Sequence, residues 1–198
     1  MEKYKLLVLA DQMAARVLSQ VGIEYEIFSG SRPLEINSEK EILELGNQLL
    51  KSQDNDTIVL AVYTELILED KKLGIPRDEE EAYSMLEQLS GKDYSYVTRL
   101  CMGGSGSPVD VMTIETRVTF KELSEWEIKG FLKLADYSHP GAHLPYGKGA
   151  FFVRKISGDF NNIKGMPLAA VGELLEKKYG INPIDGKNIW MKGSTEND

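Results

Sequence analysis

The residue types that most often bind metals or carry out acid–base chemistry are scarce in this chain, which has two histidines and one cysteine. His139 and His143 are four residues apart, a spacing that would place two ligands on one face of a helix. Pro140 and Gly141 lie between them and disfavour a helix there, so we do not expect a two-histidine metal site. The single Cys101 excludes an internal disulfide, and no Cys/His cluster has the spacing of a zinc site.

Composition and charge argue against some classes of protein. The 198 residues include 23 basic and 31 acidic side chains, a net charge of −8, which argues against nonspecific binding to nucleic acid but leaves room for a local basic pocket. The hydrophobic content of 42% is ordinary for a globular domain. No apolar run reaches the ~18 residues of a membrane span, and the first residues do not resemble a leader peptide. We therefore expect a soluble cytoplasmic protein with no membrane partner.

Strand-like and helix-like segments alternate along the chain. Apolar runs predict strands at residues 4–10, 25–28, 57–62, 94–102 and 109–120. Residues 66–68 could continue the third strand into a hairpin that turns at 69–72, and residues 103–108 read as a flexible surface loop. This alternation predicts an α/β or mixed α+β fold. We expect one domain over residues 1–181, followed by a polar tail at 182–198.

Helix starts are marked by capping residues. Asp11 can cap a helix over residues 12–20, and Asp78 can cap another with acidic residues in its first turn. Ser38 and Ser124 are each followed three residues later by glutamate, at Glu41 and Glu127, which is the capping-box pattern.

The stretch GKGAFFVRKISGDFNNIKGMPL, residues 147–168, combines several local signals. Phe151, Phe152, Val153 and Ile156 predict a short buried strand, and residues 157–159 predict a turn. Pro167 suits the first turn of a following helix. On this pattern alone, the stretch could be a strand–turn–helix unit of any α/β domain.

The same stretch resembles the closing signature of the Maf family, the septum-formation-inhibitor homologues of the inosine triphosphatase-like superfamily. The resemblance lies in GDFNN-IKGMPL at residues 158–168, in the Ala-x-x-Met-Leu-x-x-Leu-Ser-Gly block at 82–91, and in the segment at 116–128. Ordered matches extend over roughly residues 5–180. The resemblance implies a two-lobed domain with an elongated mixed sheet, flanking helices and a central cleft.

Maf-like enzymes split a nucleoside triphosphate into a monophosphate and pyrophosphate, which requires a divalent metal held by carboxylates and cations on the phosphates. The family's phosphate grip, similar to Ser-x-Ser-Pro-Arg-Arg, is shortened here to residues 11–16. Arg16 could still reach a phosphate, or it could be a solvated helix arginine.

The family's central acid corresponds to Tyr63, a phenol that is a poor general base and a poor ligand for Mg²⁺. Glu65 is the weak candidate for a catalytic group and for a metal ligand, because strand alternation would place it on the same face as Tyr63. A ligand displaced by two residues usually breaks metal geometry.

Further positions depart from the family pattern. The family's two lysines correspond to Leu49 and Ile75, and its glutamine corresponds to Tyr146. Apolar side chains cannot neutralise the charge that develops on phosphate, so several changes together predict little remaining activity.

Some polar and aromatic groups could still contact a nucleotide. Lys92, Lys148 and Glu35 lie at or near family positions, although each could be an ordinary surface charge. Tyr63 and Tyr146, with two strand tyrosines at 94 and 96, could form an aromatic pocket for a base or could simply pack.

Three hypotheses follow. The first is a divergent Maf-like protein that binds a nucleotide or has a regulatory role, with little or no pyrophosphatase activity. The second is an active nucleoside triphosphate pyrophosphatase that uses Glu65, Glu35 and Arg16, and only this hypothesis requires Mg²⁺. The third is a purely structural partner whose interface is the strand pair around residues 103–108. The resemblance also implies that two copies could form a homodimer.

Overall fold

The computed structural model describes residues 4–30, 35–104 and 106–184. Within these residues the strands, in chain order, are β1 Lys5–Leu9, β2 Glu26–Ile27, β3 Thr57–Leu68, β4 Lys71–Leu73, β5 Asp93–Gly104, β6 Ser107–Phe120 and β7 Val153–Ser157. The helices are α1 Gln12–Gln20, α2 Glu39–Leu50, α3 Glu79–Leu89, α4 Glu125–Leu134 and α5 Leu168–Tyr179. No described helix has the length and apolar character that a membrane crossing requires.

The described strands form one seven-stranded mixed sheet in the order β2-β1-β3-β5-β6-β7, with β4 paired to β3. β1 runs parallel to β2 and β3, whereas β3–β4 and β6–β7 are antiparallel. The mixed α/β fold expected from the alternation of elements is therefore confirmed.

The chain divides into two compact units. Unit 1 comprises Met1–Tyr63, Thr98–Ile114 and Lys164–Asp198, as far as these residues are described. Its interior consists of apolar side chains from β1, the first half of β3, α1, α2 and α5. Unit 2 comprises Thr64–Val97 and Glu115–Ile163, and its core is formed by aliphatic and aromatic residues of β3, α3, β5, β6 and α4.

The predicted helix starts are confirmed. The Asp11 carboxylate accepts from the Ala14 N–H at 2.7 Å, and the Asp78 carboxylate accepts from Glu81 N–H at 2.8 Å. At α4 the capping box is complete, since the Glu127 carboxylate also accepts from the Ser124 N–H.

At the start of α2 the reciprocal bond differs from the prediction by one residue. Ser38 caps the helix as expected, but the Glu41 carboxylate accepts from the N–H of Asn37, at 2.9 Å. The helix is therefore capped by Ser38, but the Glu41 carboxylate binds the backbone N–H one residue before Ser38 and not that of Ser38 itself.

The strand predicted from Phe151 onward is present, but the prediction is wrong in its start and in its burial. Phe151 lies in a 3₁₀ turn, Gly147–Phe152, and its side chain is 80% exposed. The strand starts two residues later, and its Arg154 and Lys155 side chains are exposed at the edge of the sheet. An irregularity in the β6–β7 register gives β7 one extra residue, so that Val153 and Ile156, three positions apart, can both pack on the core.

The loop predicted at 103–108 and the hairpin turn predicted at 69–72 are also shorter than predicted. Gly103 and Gly104 belong to β5, and Ser107 and Pro108 belong to β6. β4 starts at Lys71, which leaves Glu69 and Asp70 as the hairpin turn. Residues 66–68 do continue β3 into a hairpin with β4. Of the predicted tail at 182–198, residues 185–198 lie outside the described residues.

Candidate functional site

The β3–β4 hairpin of unit 2 contains a closely paired acid and base. In this hairpin Ile67 is opposite Lys72, and the tight turn holds Glu69 and Asp70 at positive φ. The Lys72 Nζ lies 2.9 Å from the Oε1 of Glu65, whose side chain is 5% exposed, whereas that of Lys72 is 35% exposed. A carboxylate that is almost removed from water needs such a partner, because an unpaired buried charge is strongly unfavourable. The pair therefore neutralises Glu65 within the protein.

Tyr63, which the family resemblance places at the position of the family's acid, lies in the same strand and is assigned to unit 1. It is half-buried and packs on the apolar cluster formed by β1, α2 and the first half of β3. The aromatic ring thus contributes to the packing of this cluster.

A buried tyrosine–histidine pair fixes the segment that carries Tyr146. The Tyr94 hydroxyl lies 2.6 Å from the Nε2 of His143, and the Nδ1 of His143 lies 2.9 Å from the Gly141 carbonyl oxygen. Because that carbonyl can only accept, Nδ1 carries the proton and Nε2 accepts from the tyrosine. Burial lowers the pKa of His143 to about 4, so the ring is neutral near pH 7.

The two strand tyrosines that could have formed an aromatic pocket are core residues. Tyr94 is 2% exposed and Tyr96 is 5% exposed, and their rings pack against each other with centroids 5.8 Å apart. Burial raises the pKa of Tyr96, and the neighbouring Tyr146 adds to that effect. Among the described residues, the Tyr96 hydroxyl has no hydrogen-bond partner. Tyr146 itself is half-buried.

Lys92 lies in acidic surroundings. Its Nζ is 2.9 Å from the Glu69 carboxylate. Glu69 also lines a surface groove of about 410 Å³ on unit 2, together with Asp70, Asp93 and Glu115, and Arg117 is the basic residue in that lining. This surface disfavours a triphosphate because like charges repel.

The other predicted site residues are exposed. Arg16 lies on the solvent side of α1, and Glu35 precedes α2. Lys148 lies in the 3₁₀ turn Gly147–Phe152. Arg16, Glu35 and Tyr63 belong to unit 1, whereas Glu65, Lys92, Tyr146 and Lys148 belong to unit 2.

Two side-chain interactions near the candidate site were not predicted from the sequence: the pairing of Lys72 with Glu65 and that of Tyr94 with His143. Lys72 could have been found from hairpin geometry, because a two-residue turn at 69–70 brings it diagonally across from Glu65. The bond between Tyr94 and His143 joins residues 49 positions apart, and no local pattern signals it.

Comparison with known proteins gives the family. The family model described as Maf-like protein matches residues 7–178. The chain belongs to the Maf-like protein family. A dTTP/UTP pyrophosphatase of Alkaliphilus oremlandii is 30% identical over 91% of this chain and 98% of that protein, and one of Bacillus pumilus is 32% identical over 90% and 98%.

One relative has a higher sequence identity over a shorter part of the chain. The dTTP/UTP pyrophosphatase of Ruminiclostridium cellulolyticum is 36% identical over 61% of this chain, and the match spans 63% of that relative, less than two thirds of its length. A solved nucleoside-triphosphatase (dITP/XTP pyrophosphatase) of Mycobacterium abscessus is 13% identical, with a TM-score of 0.36 over 59% of this chain and 72% of that one.

Proposed function

We propose that this Maf-like protein binds a nucleotide, or regulates through such binding, with little or no pyrophosphatase activity. The observation that carries the proposal is the ion pair between Glu65 and Lys72, because Glu65 is the acid closest in sequence to the position where the family places its metal ligand. The names of the relatives make dTTP and UTP the first nucleotides to test.

The residues at this position do not fit the magnesium ion that the family resemblance implies. Mg²⁺ requires nearly octahedral oxygen coordination and is usually held by one or two carboxylates. Tyr63 offers a phenol, and an oxygen of Glu65 is bonded to the Lys72 ammonium. Binding a metal there would require breaking an ion pair whose carboxylate is 5% exposed.

The positions of the two family lysines support the same proposal. Leu49 is 5% exposed and belongs to an apolar cluster of unit 1, and Ile75 is 60% exposed. Neither side chain can stabilise charge on a phosphate, and the loss of one such group typically lowers the rate by ~10²–10³.

The test is pyrophosphate release by the purified protein from a panel of standard and modified nucleoside triphosphates, including dTTP and UTP, at saturating Mg²⁺. We expect no release above the rate without protein. Robust metal-dependent release from any of these nucleotides would contradict the proposal.

The second candidate function is an active pyrophosphatase with a rearranged metal site, which is favoured by the names of the full-length relatives. In that case Glu65 would have to leave Lys72 to bind the metal. The variant Glu65→Gln should then abolish turnover, and Glu69→Gln, an exposed change in the same hairpin, should preserve it. If turnover survives Glu65→Gln, that residue has no part in the mechanism.

A further inference from the structure

The parallel part of the sheet in unit 1 has a topology at which α/β proteins bind ligands. β1 lies between β2 and β3 and runs parallel to both. The chain passes from β1 through α1 to β2 on one side, and then through α2 to β3 on the other side. Ligands of open α/β sheets bind outside the carboxyl ends of the strands where the winding changes direction, which here is the end of β1.

Helix α1 begins at this end of β1. Leu9, the last residue of β1, pairs with Ala61 of β3, and α1 starts at Gln12. Tyr63 lies two residues beyond Ala61 in the same strand. The first N–H groups of a helix attract anions, so a helix that starts at the carboxyl end of a strand commonly binds a phosphate. Unit 1 therefore has the backbone arrangement that would receive the phosphate of a nucleotide.

The side chain of Asp11 occupies that anion position. Its Oδ1 accepts a hydrogen bond from the N–H of Ala14 at 2.7 Å, so a negative charge of the protein already lies at the start of α1. The one basic residue of α1 is Arg16, which belongs to its second turn and is exposed. A phosphate that approached the start of α1 would be repelled by the carboxylate and would have to displace it from the Ala14 N–H.

We propose that Asp11 is a specificity-determining residue: the chain binds the nucleoside part of its ligand and leaves the phosphates without a protein contact. This inference rests on the proposed function and names the ligand class of that site. It predicts that a pyrimidine nucleoside binds at least as tightly as its triphosphate. Since no phosphate is held, Mg²⁺ has no phosphate–protein contact to bridge.

Unit 2 gives separate support for a ligand with few charges. Its lysine at a family position, Lys92, lies 2.9 Å from the Glu69 carboxylate. Its other buried-acid pair places the Lys72 ammonium 2.9 Å from Glu65. An anion near either lysine would compete with a carboxylate that is already in place, so each further phosphate of a ligand adds repulsion and little attraction.

The test is isothermal titration calorimetry of the full chain with thymidine, dTMP and dTTP, and with the matching uridine series, all in EDTA. Within each series we expect dissociation constants that agree within ~3-fold, a difference of less than 1 kcal/mol. A triphosphate that binds ~10-fold or more tightly than its nucleoside would overturn this inference and leave the proposed function intact. No binding by any member of either series would contradict the proposed function and this inference with it.

The variant Asp11→Asn tests the residue itself. Asparagine caps helices as well as aspartate does, so the variant removes the charge and retains the cap. We expect the affinity for dTTP to rise ~5-fold, because a repulsion between nearby surface charges is lost, while the affinity for thymidine stays unchanged. The gain should disappear at ~1 M NaCl, where the Debye length is ~3 Å.

The matched control is Asp78→Asn, which makes the same change at the start of α3 in unit 2. Asp78 caps its helix in the same way, through the N–H of Glu81 at 2.8 Å. This variant should leave the ratio of the dTTP and thymidine affinities as it is in the wild type. An unchanged ratio in Asp11→Asn, or a gain that persists at high salt, would overturn the role assigned to Asp11.

Discussion

The two units differ in the polar side chains that they bury. Among the described residues, the fully buried polar side chains of unit 1 are Thr57 and Thr98. Unit 2 buries an acid, an imidazole and an amide, at Glu65, His143 and Asn162. A threonine hydroxyl can be satisfied by the nearby backbone, whereas an acid or an imidazole requires a partner from another part of the chain.

The two units differ in which charge of an ion pair is buried. In unit 1 Lys178 is 9% exposed, and its Nζ lies 3.0 Å from the carboxylate of Asp110, which is 47% exposed. In unit 2 the acid is buried: the Glu65 side chain is 5% exposed and pairs with Lys72, which is 35% exposed. The buried imidazole and acid of unit 2 should make its stability respond to pH and to single polar substitutions, and the apolar clusters of unit 1 should make its stability respond to packing.

The largest effect that we expect is a pH dependence due to His143. Its folded pKa of about 4 lies below the ordinary value of 6.5, because burial disfavours the charged ring. As the pH falls from 6.5 to 4 the unfolded chain takes up the proton first, so about 3 kcal/mol of the free energy of unfolding is lost in this window. Below the folded pKa this contribution levels off.

The measurement is urea denaturation at several pH values for the wild type and His143→Gln. The variant should lack this part of the pH slope, whereas His139→Gln, which changes the neighbouring histidine, should retain it. Identical slopes in all three proteins would mean that His143 is not buried in its neutral form. Glu127, whose pKa is lowered to about 2 by Lys121 and Ser124, contributes below pH 4.5, at the lower end of this window, and it is present in all three proteins, so its contribution cancels in the comparison.

The second effect is the loss of the partner of Glu65. Lys72→Met should lower the free energy of unfolding by about 2 kcal/mol, less than for a fully buried pair because the lysine is 35% exposed. Lys71→Met, at the exposed neighbouring position, should change it by less than ~0.5 kcal/mol. The double variant Glu65→Met/Lys72→Met should recover most of the loss, and failure to recover would show that the charge of Glu65 is not what Lys72 offsets.

The third effect tests the packing of unit 1. Gly46→Ala places a Cβ 2.7 Å from the Sγ of Cys101 and 3.0 Å from a methyl group of Val109. The resulting overpacking should outweigh the gain in helix propensity and lower the free energy of unfolding by about 1 kcal/mol, as measured by thermal or chemical denaturation. A stabilised variant would show that α2 can move away from β5.

The smallest effect is expected at the corresponding glycine of unit 2. In Gly130→Ala the added Cβ meets no atom within 4 Å, so the variant should raise the free energy of unfolding by about 0.5–1 kcal/mol, as measured by chemical denaturation. A loss of stability would mean that the outer face of α4 is already occupied by another part of the chain.

Local signals predicted most of the elements, because capping and alternation depend on neighbouring residues. Asp11, Ser38, Asp78 and Ser124 all cap helices as expected. The strand expected at Phe151 failed because four apolar residues over six positions do not specify which of them face the core. The turn Gly147–Phe152 directs Phe152 inward and leaves Phe151 exposed.

The contacts around the candidate site were harder to predict. The Lys72–Glu65 pair depends on the register of a hairpin whose first turn residue, Glu69, is not typical of positive φ. The Tyr94–His143 bond depends on tertiary packing between distant segments. The resemblance singled out Tyr63 and Glu65, whereas the partner that neutralises Glu65 follows only once the two-residue turn of the hairpin is known.

The most direct test of the central claim is a thermal-shift titration with dTTP and UTP, performed in parallel with Mg²⁺ and with EDTA, followed by a pyrophosphate assay of the same samples. A ligand at ~100 times its Kd adds about 2.7 kcal/mol to the stability of the state that it binds. We predict a shift of equal size with and without Mg²⁺, with no accumulation of pyrophosphate. A shift that requires Mg²⁺ and is accompanied by pyrophosphate would contradict the account, and the absence of any shift would contradict nucleotide binding itself.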